Sequence, residues 1–182
     1  LLTEDTLRMS LITALGAAGI GPSRLTAEVY APALGLGKLD LCIDGHAGTI
    51  IELKYPRDSR KDTGSADTMT LGELVRDFCR VAVVDASERW VAQVIHARLA
   101  RYLAAATARY DLEWATEPGQ RLTLQRDALQ RLPRAARTCI GDTAWLLPVQ
   151  ATCAARVNIV DGLVLIAYRV APPDPTLTAA PL

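Results

Sequence analysis

The chain has 182 residues, half of them hydrophobic, and its 20 basic and 20 acidic side chains give a formal net charge of zero. These values are typical of a globular domain and exclude a disordered or collagen-like chain. Arg, Asp or Pro interrupts each apolar run before it reaches the roughly 18 residues of a membrane span, so we expect no transmembrane segment and no membrane partner.

The charge balance and the cysteines also restrict the partners. A protein that holds nucleic acid by charge alone usually has an excess of basic residues, so any nucleic-acid site in this neutral chain must be local.

The four cysteines have no C-x-x-C spacing and lie in apolar stretches. This pattern favours buried thiols in a reducing compartment over zinc ligands, and we expect a cytoplasmic protein.

The first part of the chain predicts one helix and three strands. Apolar residues at helical spacing predict an amphipathic helix that has Thr3 as its N-cap and ends near residue 20. Period-two alternation and turn residues predict strands over 25–31, 38–44 and 48–55. The segment from Asp44 to Gly48 is rich in turn formers, so the last two strands should form a hairpin.

The rest of the chain alternates loops, helices and strands. Residues 57–70 have almost no apolar side chains and predict a mobile loop. The elements predicted after this loop are a helix from Thr70, a strand over 90–95, a helix over 97–110, a short basic helix over 126–137, strands over 145–157 and 163–170, and a loosely ordered Pro-rich tail over 172–182. We interpret residues 1–182 as one domain, with a core over 3–110 and a C-terminal β-hairpin extension over 111–171.

The hairpin carries an unusual group of charges. If its loop has three residues, Ile43 faces Thr49, and the same register places Asp40 opposite Glu52, with their side chains about 5 Å apart. Lys54 lies on the same face as Glu52, because side chains in a strand repeat every two residues. Two carboxylates this close destabilise a sheet unless a positive charge lies between them. Departures from local rules of this kind concentrate at functional sites.

These residues fit hydrolysis assisted by a divalent metal. The carboxylates of Asp40 and Glu52, with a backbone carbonyl such as that of Leu53, would form a partial cage of oxygens suited to Mg²⁺, for which Mn²⁺ could substitute. The metal would acidify a bound water, and Lys54 would hold that nucleophile or stabilise the developing charge. The competing interpretation is a solvated sheet face on which Lys54 forms an ordinary surface salt bridge.

The same residues resemble a known family. Gly37-Lys38-Leu39-Asp40-Leu41 followed by Ile50-Ile51-Glu52-Leu53-Lys54 resembles the D...(D/E)-x-K signature of the PD-(D/E)XK, or restriction-endonuclease-like, nuclease superfamily. The predicted order of helix, three-stranded meander, helix and strand also resembles its common core. Leu39 stands where the family usually has Pro.

The resemblance implies a fold and an activity. The fold would be an α/β restriction-endonuclease-like core, with a mixed central β-sheet flanked by helices. The activity would be that of a Mg²⁺-dependent nuclease acting on nucleic acid, with DNA as the first candidate and RNA as the alternative, in restriction, repair or phage defence. Asp40 and Glu52 would bind the metal, and Lys54 would assist the water. Many members add a glutamate from the first helix, for which Glu4 is the first match and Glu28, on the following strand, the second.

Basic residues near this site are candidates for contacts with nucleic acid. Arg57, Arg60 and Lys61 directly follow the Lys54 strand and could hold a phosphate backbone; an ordinary solvated loop is equally compatible with them. Arg80 lies three residues after Asp77 on the next predicted helix. This pair could border the site or form a simple helical ion pair.

Three functions therefore compete. The first is a metal-dependent nuclease whose neutral charge implies that an additional domain, a partner subunit or a homodimer supplies part of the grip on DNA. The second is a non-catalytic protein-interaction or nucleic-acid-binding module that keeps the nuclease-like fold. The third is a metal-dependent hydrolase of a small phosphorylated molecule, with the predicted loop over 57–70 as its lid.

Overall fold

The computed structural model describes residues 3–31, 37–45, 47–56, 64–141, 148–159 and 162–172, without the side chains of 64–66 and 106. Its helices are α1 (Glu4–Ala17), α2 (Gly64–Ala82), α3 (Ala97–Ala108), α4 (Arg126–Arg131) and α5 (Arg134–Ile140). Its strands are β1 (Leu25–Tyr30), β2 (Lys38–Ile43), β3 (Thr49–Lys54), β4 (Glu88–His96), β5 (Arg121–Leu124), β6 (Val149–Asn158) and β7 (Leu163–Val170).

The strands form one mixed sheet of seven in the order β1-β2-β3-β4-β7-β6-β5. Only β3 and β4 run parallel, and α2 lies between them in the chain; the other neighbours are antiparallel. The prediction of a mixed sheet flanked by helices is confirmed. The C-terminal hairpin of β6 and β7 joins β4 directly, so it continues the sheet of the predicted core.

Apolar side chains cover both faces of the sheet. The face that we call the α2 face carries the larger core, in which Leu74 and Phe78 of α2 are fully buried. The opposite face, the α1 face, carries a smaller core of four strand residues, against which α1 packs through partly buried residues: Leu41, Ile43, Ile51 and Leu53 from the strands, and Leu7, Leu11, Ile12 and Leu15 from α1. Helices thus flank the sheet on both sides.

Local patterns predicted the first elements closely. The hydroxyl of Thr3 accepts a hydrogen bond from the backbone N–H of Thr6, as an N-cap does. The hairpin register is also confirmed, because Ile43 pairs with Thr49 and Cys42 pairs with Ile50.

The predicted loop over 57–70 is wrong in its second half. Helix α2 begins at Gly64, six residues before the expected start at Thr70. Asp67 lies in its first turn, where a negative charge favours the helix N-terminus, and accepts from Arg98 at 2.7 Å. These polar contacts stabilise a turn that has no apolar periodicity. Residues 57–63 lie outside the described ranges.

Three predictions in the C-terminal part also need correction. The single helix expected over 126–137 is two helices, since Pro133 lacks an N–H and the preceding Leu132 is extended, with ψ 153°. Strand β5 was not predicted, because four residues give too short an alternation. The strand expected from residue 145 begins at Val149, and residues 142–147 and 173–182 lie outside the described ranges.

The thiols agree with the sequence interpretation for the most part. Cys42, Cys79 and Cys153 are buried and Cys139 is partly buried, all of them as free cysteines.

Among the described helices, none combines the length and the apolar character that crossing a membrane requires.

Candidate functional site

Along β1 and β2, the side of the sheet to which alternate side chains point changes at the start of the candidate site. In β2, Leu39 packs in the α2-face core whereas Leu41, two residues later, packs in the α1-face core. In β1, Val29 and Leu25 are divided in the same way. Between them Glu28 has φ +52°. Glycine adopts this left-handed conformation readily, whereas other residues, apart from Asn and Asp, rarely do. This residue would be the ladder partner of Asp40, so the strained position coincides with the candidate site.

The reversal changes the environment of Asp40. The ladder between β2 and β3 ends at the pair Leu41 and Ile51, so Asp40 does not face Glu52 as a ladder partner, which corrects the predicted opposition. Its Oδ2 instead accepts the backbone N–H of Leu53 at 2.7 Å. Its Oδ1 accepts from Arg8 of α1 at 2.8 Å. Asp40 is therefore fixed at the point where the two strands separate.

Glu52 is the most perturbed carboxylate of the site. It is 5% exposed, and its Oε1 accepts from Nη1 of Arg80 at 2.9 Å. Its Oε2 is buried and has no hydrogen-bond partner among the described residues. Burial, together with the negative charge of Asp77, raises the pKa of Glu52 from 4.5 to about 8, although Arg80 offsets part of the increase. The positive charges present do not fully compensate this buried acid.

Asp77 is a second buried acid beside Glu52. It lies on α2, is 2% exposed, and its Oδ1 lies 3.8 Å from the same Nη1 of Arg80. Its Oδ2 is also buried, and no residue in the described part of the chain forms a hydrogen bond with it. Burial raises the pKa of Asp77 to about 6, while Lys54 and Arg76 act in the opposite direction. Both sequence interpretations of the Asp77–Arg80 pair therefore hold, since the two form a helical ion pair and also border the site.

Lys54 brings an ammonium group to the edge of this cluster. Its Nζ lies 3.6 Å from Oε2 of Glu73 on α2, and about a fifth of its side chain is exposed. It therefore combines access to solvent with an electrostatic effect on buried Asp77.

The two candidate glutamates lie in different surroundings. Glu4 occupies the first turn of α1, but the contact from α1 to Asp40 is made by Arg8, one turn later. Glu28 lies 3.5 Å from the guanidinium of Arg8 and 3.5 Å from Nζ of Lys38. The structure thus links Glu28 to Asp40 through a shared arginine.

The candidate phosphate contacts are only partly placed. Arg57, Arg60 and Lys61 lie outside the described residues. Arg80 binds Glu52 and donates through Nη2 to the carbonyl oxygen of Lys38 at 2.5 Å. Its guanidinium is thus engaged within the protein, and the sequence did not predict these contacts with Glu52 and Lys38.

The oxygens of the site retain the capacity to bind a cation. A carboxylate offers about four lone-pair positions, so Asp40 can accept more than its two hydrogen bonds, and Glu52 and Asp77 each keep one oxygen entirely unpartnered. Within the described ranges, no group of three or more His, Cys, Asp or Glu side chains is arranged to hold a metal ion. Mg²⁺ takes as few as one or two protein carboxylates and completes its shell with water and phosphate, so Asp40 and Glu52 would be enough to hold it.

Sequence reasoning missed two members of the site, Arg8 and Glu73. Both depend on how helices pack on the sheet, and a single charge on a helix surface gives no signal of that.

Comparisons of the chain with protein-family models, with curated proteins and with solved structures give no match. The geometry and chemistry of the site therefore carry the functional reasoning.

Proposed function

We propose that the protein is a divalent-metal-dependent nuclease with a restriction-endonuclease-like core, which hydrolyses phosphodiester bonds of nucleic acid, with DNA as the first candidate. The observation that carries the proposal is Glu52, a buried carboxylate with one unpartnered oxygen and a pKa raised to about 8. Asp40, Asp77 and Lys54 surround it. A buried acid whose charge is under-compensated fits a position that a cation completes.

Asp40 and Glu52 would hold Mg²⁺ or Mn²⁺ through their free lone pairs, together with the carbonyl of Leu53. When bound, the ion supplies a positive charge opposite the phosphate and lowers the pKa of a coordinated water. Few protein ligands and several waters imply weak binding of the free ion and tighter binding once a phosphate shares it.

Lys54 would orient the attacking water and stabilise negative charge at the phosphorus centre. Its contact with Glu73 at 3.6 Å is longer than a direct hydrogen bond, so its donors are not strongly committed. Asp77 would support Lys54 and Arg80 by supplying negative charge behind them.

The substrate class rests on the resemblance of the D...ExK segment to nuclease signatures. Arg57, Arg60 and Lys61 remain the proposed backbone contacts. Because the net charge is zero, we expect an additional domain, a partner or a second copy to contribute to DNA binding.

The experiment is a cleavage assay on linear and circular double-stranded DNA, single-stranded DNA and RNA, each with Mg²⁺, Mn²⁺ or EDTA. We expect cleavage that needs metal and is lost in Asp40→Ala and Lys54→Met. Asp127→Ala is a matched control for Asp40→Ala, since it removes the same group from an exposed position, and it should cleave normally. Calorimetry should show that Mn²⁺ binding survives in Lys54→Met but not in Asp40→Ala. Full activity in either site variant would refute the mechanism.

One observation favours a second candidate, a non-catalytic binding module with the same fold. Arg8 already binds Asp40, and Arg80 already binds Glu52, so the acids have cationic partners without a metal. That function predicts no cleavage of any substrate and no change in stability when Mn²⁺ is added.

A further inference from the structure

Gln93, in the middle of β4, is a buried polar residue. Its side chain is 0% exposed, and neither Oε1 nor Nε2 has a hydrogen-bond partner among the residues that the structure describes. Leaving a buried polar group unpaired is destabilising, so such a group calls for an explanation. An ordered water that pairs with the amide is one such explanation.

The sheet register places this amide next to the candidate site. In the parallel ladder between β3 and β4, Gln93 pairs with Lys54, and Val91 pairs with Glu52. Val91 and Ile95 both pack in the α2-face core. Because side chains alternate along a strand, Gln93 points to that same face, beside Lys54.

Three sets of unpartnered atoms therefore share one side of the sheet. They are the amide of Gln93, Oε2 of Glu52 and Oδ2 of Asp77, each on a residue at least 95% buried. Two acceptors and an amide that both donates and accepts are the groups that bind an ordered water or a hydrated ion.

The amide has no evident role in packing. Its neighbours along β4 are apolar, and Met would fill a similar volume without the cost of desolvating an amide. A residue that lowers stability in isolation is expected where function repays the loss.

We propose that Gln93 is a water-positioning residue of the site. Its Oε1 accepts a hydrogen bond from the water that Lys54 contacts, and this fixes the orientation of that water in the site. The inference rests on the proposed nuclease function and adds to it a residue outside the D...ExK segment.

The test is Gln93→Met, with Gln150→Met on β6 as an exposed control. We expect kcat to fall by about 100-fold, as for a misplaced nucleophile, while KM and Mn²⁺ affinity stay unchanged. The midpoint of thermal unfolding should stay constant or rise, and Gln93→Leu should repeat this pattern if Met packs poorly. The control should match the wild type in every measurement.

The outcomes separate the two proposals. Cleavage by wild type and equal cleavage by Gln93→Met would overturn the role of Gln93 alone. A lower unfolding midpoint in both variants would also overturn it, since the amide would then be paired within the folded chain. A wild-type protein that cleaves no substrate would overturn the nuclease function and this inference with it. A high-resolution crystal structure should show a water within hydrogen-bond distance of the Gln93 amide, and an amide bonded only to protein atoms would refute the proposal.

Discussion

Replacing Glu52 with Gln tests the central electrostatic feature of the site. Gln keeps the shape of the side chain and can still accept from Arg80, but it has no charge to bury. Because burial raises the pKa of Glu52 from 4.5 to about 8, the folded state holds a proton that the unfolded state releases between those pH values. The free energy of unfolding of the wild type should therefore fall as the pH rises through this window.

The size of the effect follows from the shift. At ~1.4 kcal/mol per pKa unit, the complete shift corresponds to about 5 kcal/mol in the free energy of unfolding. The wild type loses this whole amount only at pH values above the folded-state pKa. The attraction of Arg80 is already included in that pKa. We therefore expect metal-free Glu52→Gln to be more stable than the wild type by several kcal/mol at about pH 9, and the difference to disappear towards about pH 5.

The assay is urea unfolding across this pH range in EDTA, repeated with Mg²⁺. Metal should restore the stability of the wild type at high pH, because it binds the ionised carboxylate, and should change the variant little. Glu113→Gln, which removes an exposed carboxylate, is the control. A stability difference that is the same at every pH, or a wild type more stable than Glu52→Gln at high pH in EDTA, would refute the reasoning.

Three further predictions concern the neighbours of this carboxylate. Arg8→Gln should lower the free energy of unfolding by about 1.5–3 kcal/mol, since it removes a charged hydrogen bond to Asp40. The same change should raise Mn²⁺ affinity, because a cation that competes for Asp40 is gone. Urea unfolding measures the first effect and calorimetry the second, and weaker Mn²⁺ binding would contradict the prediction. Mn²⁺ affinity should rise with pH up to about pH 8, by up to about tenfold per pH unit for one displaced proton, because the proposed ligand Glu52 has its pKa raised to about 8; a flat profile below that pH would argue against ligation by Glu52. Gly72→Ala should lower the free energy of unfolding by about 1–3 kcal/mol or more, because an added Cβ would overlap the carbonyl oxygen of Ala136 where α2 meets α5. At temperatures where the variant is folded, its cleavage activity should be unchanged.

The sequence predicted those parts of the fold that short-range patterns determine. The N-cap at Thr3 and the pairing of Ile43 with Thr49 depend on a few neighbouring residues, and both are confirmed. The start of α2 could not be predicted because its first turns are stabilised by a contact with Arg98, 31 residues after Asp67. Polar helix ends held by distant residues carry no apolar periodicity.

For the candidate site, the sequence predicted which residues lie close together better than it predicted their geometry. Asp40, Glu52 and Lys54 do lie at the junction of β2 and β3, but a regular ladder was assumed to continue through Asp40. The left-handed conformation of Glu28 reverses both strands at that point, and no sequence rule identifies a glutamate as left-handed. The docking of Arg8 onto Asp40 follows from that reversal, because it connects the first acid of the site to α1 on the opposite face of the sheet.

The balance of charges distinguishes this cluster from a purely structural ion-pair network. A buried ion pair is tolerated when hydrogen bonds satisfy its remaining polar atoms. Here Arg80 contacts one oxygen each of Glu52 and Asp77, while the second oxygen of each acid stays buried and unpartnered. Lys54, a further cation of the cluster, is about a fifth exposed and has its ammonium 3.6 Å from Glu73. A cluster that served only stability would be improved by replacing either acid with its amide, whereas a site that receives a cation and a phosphate needs both acids ionisable and the ammonium accessible.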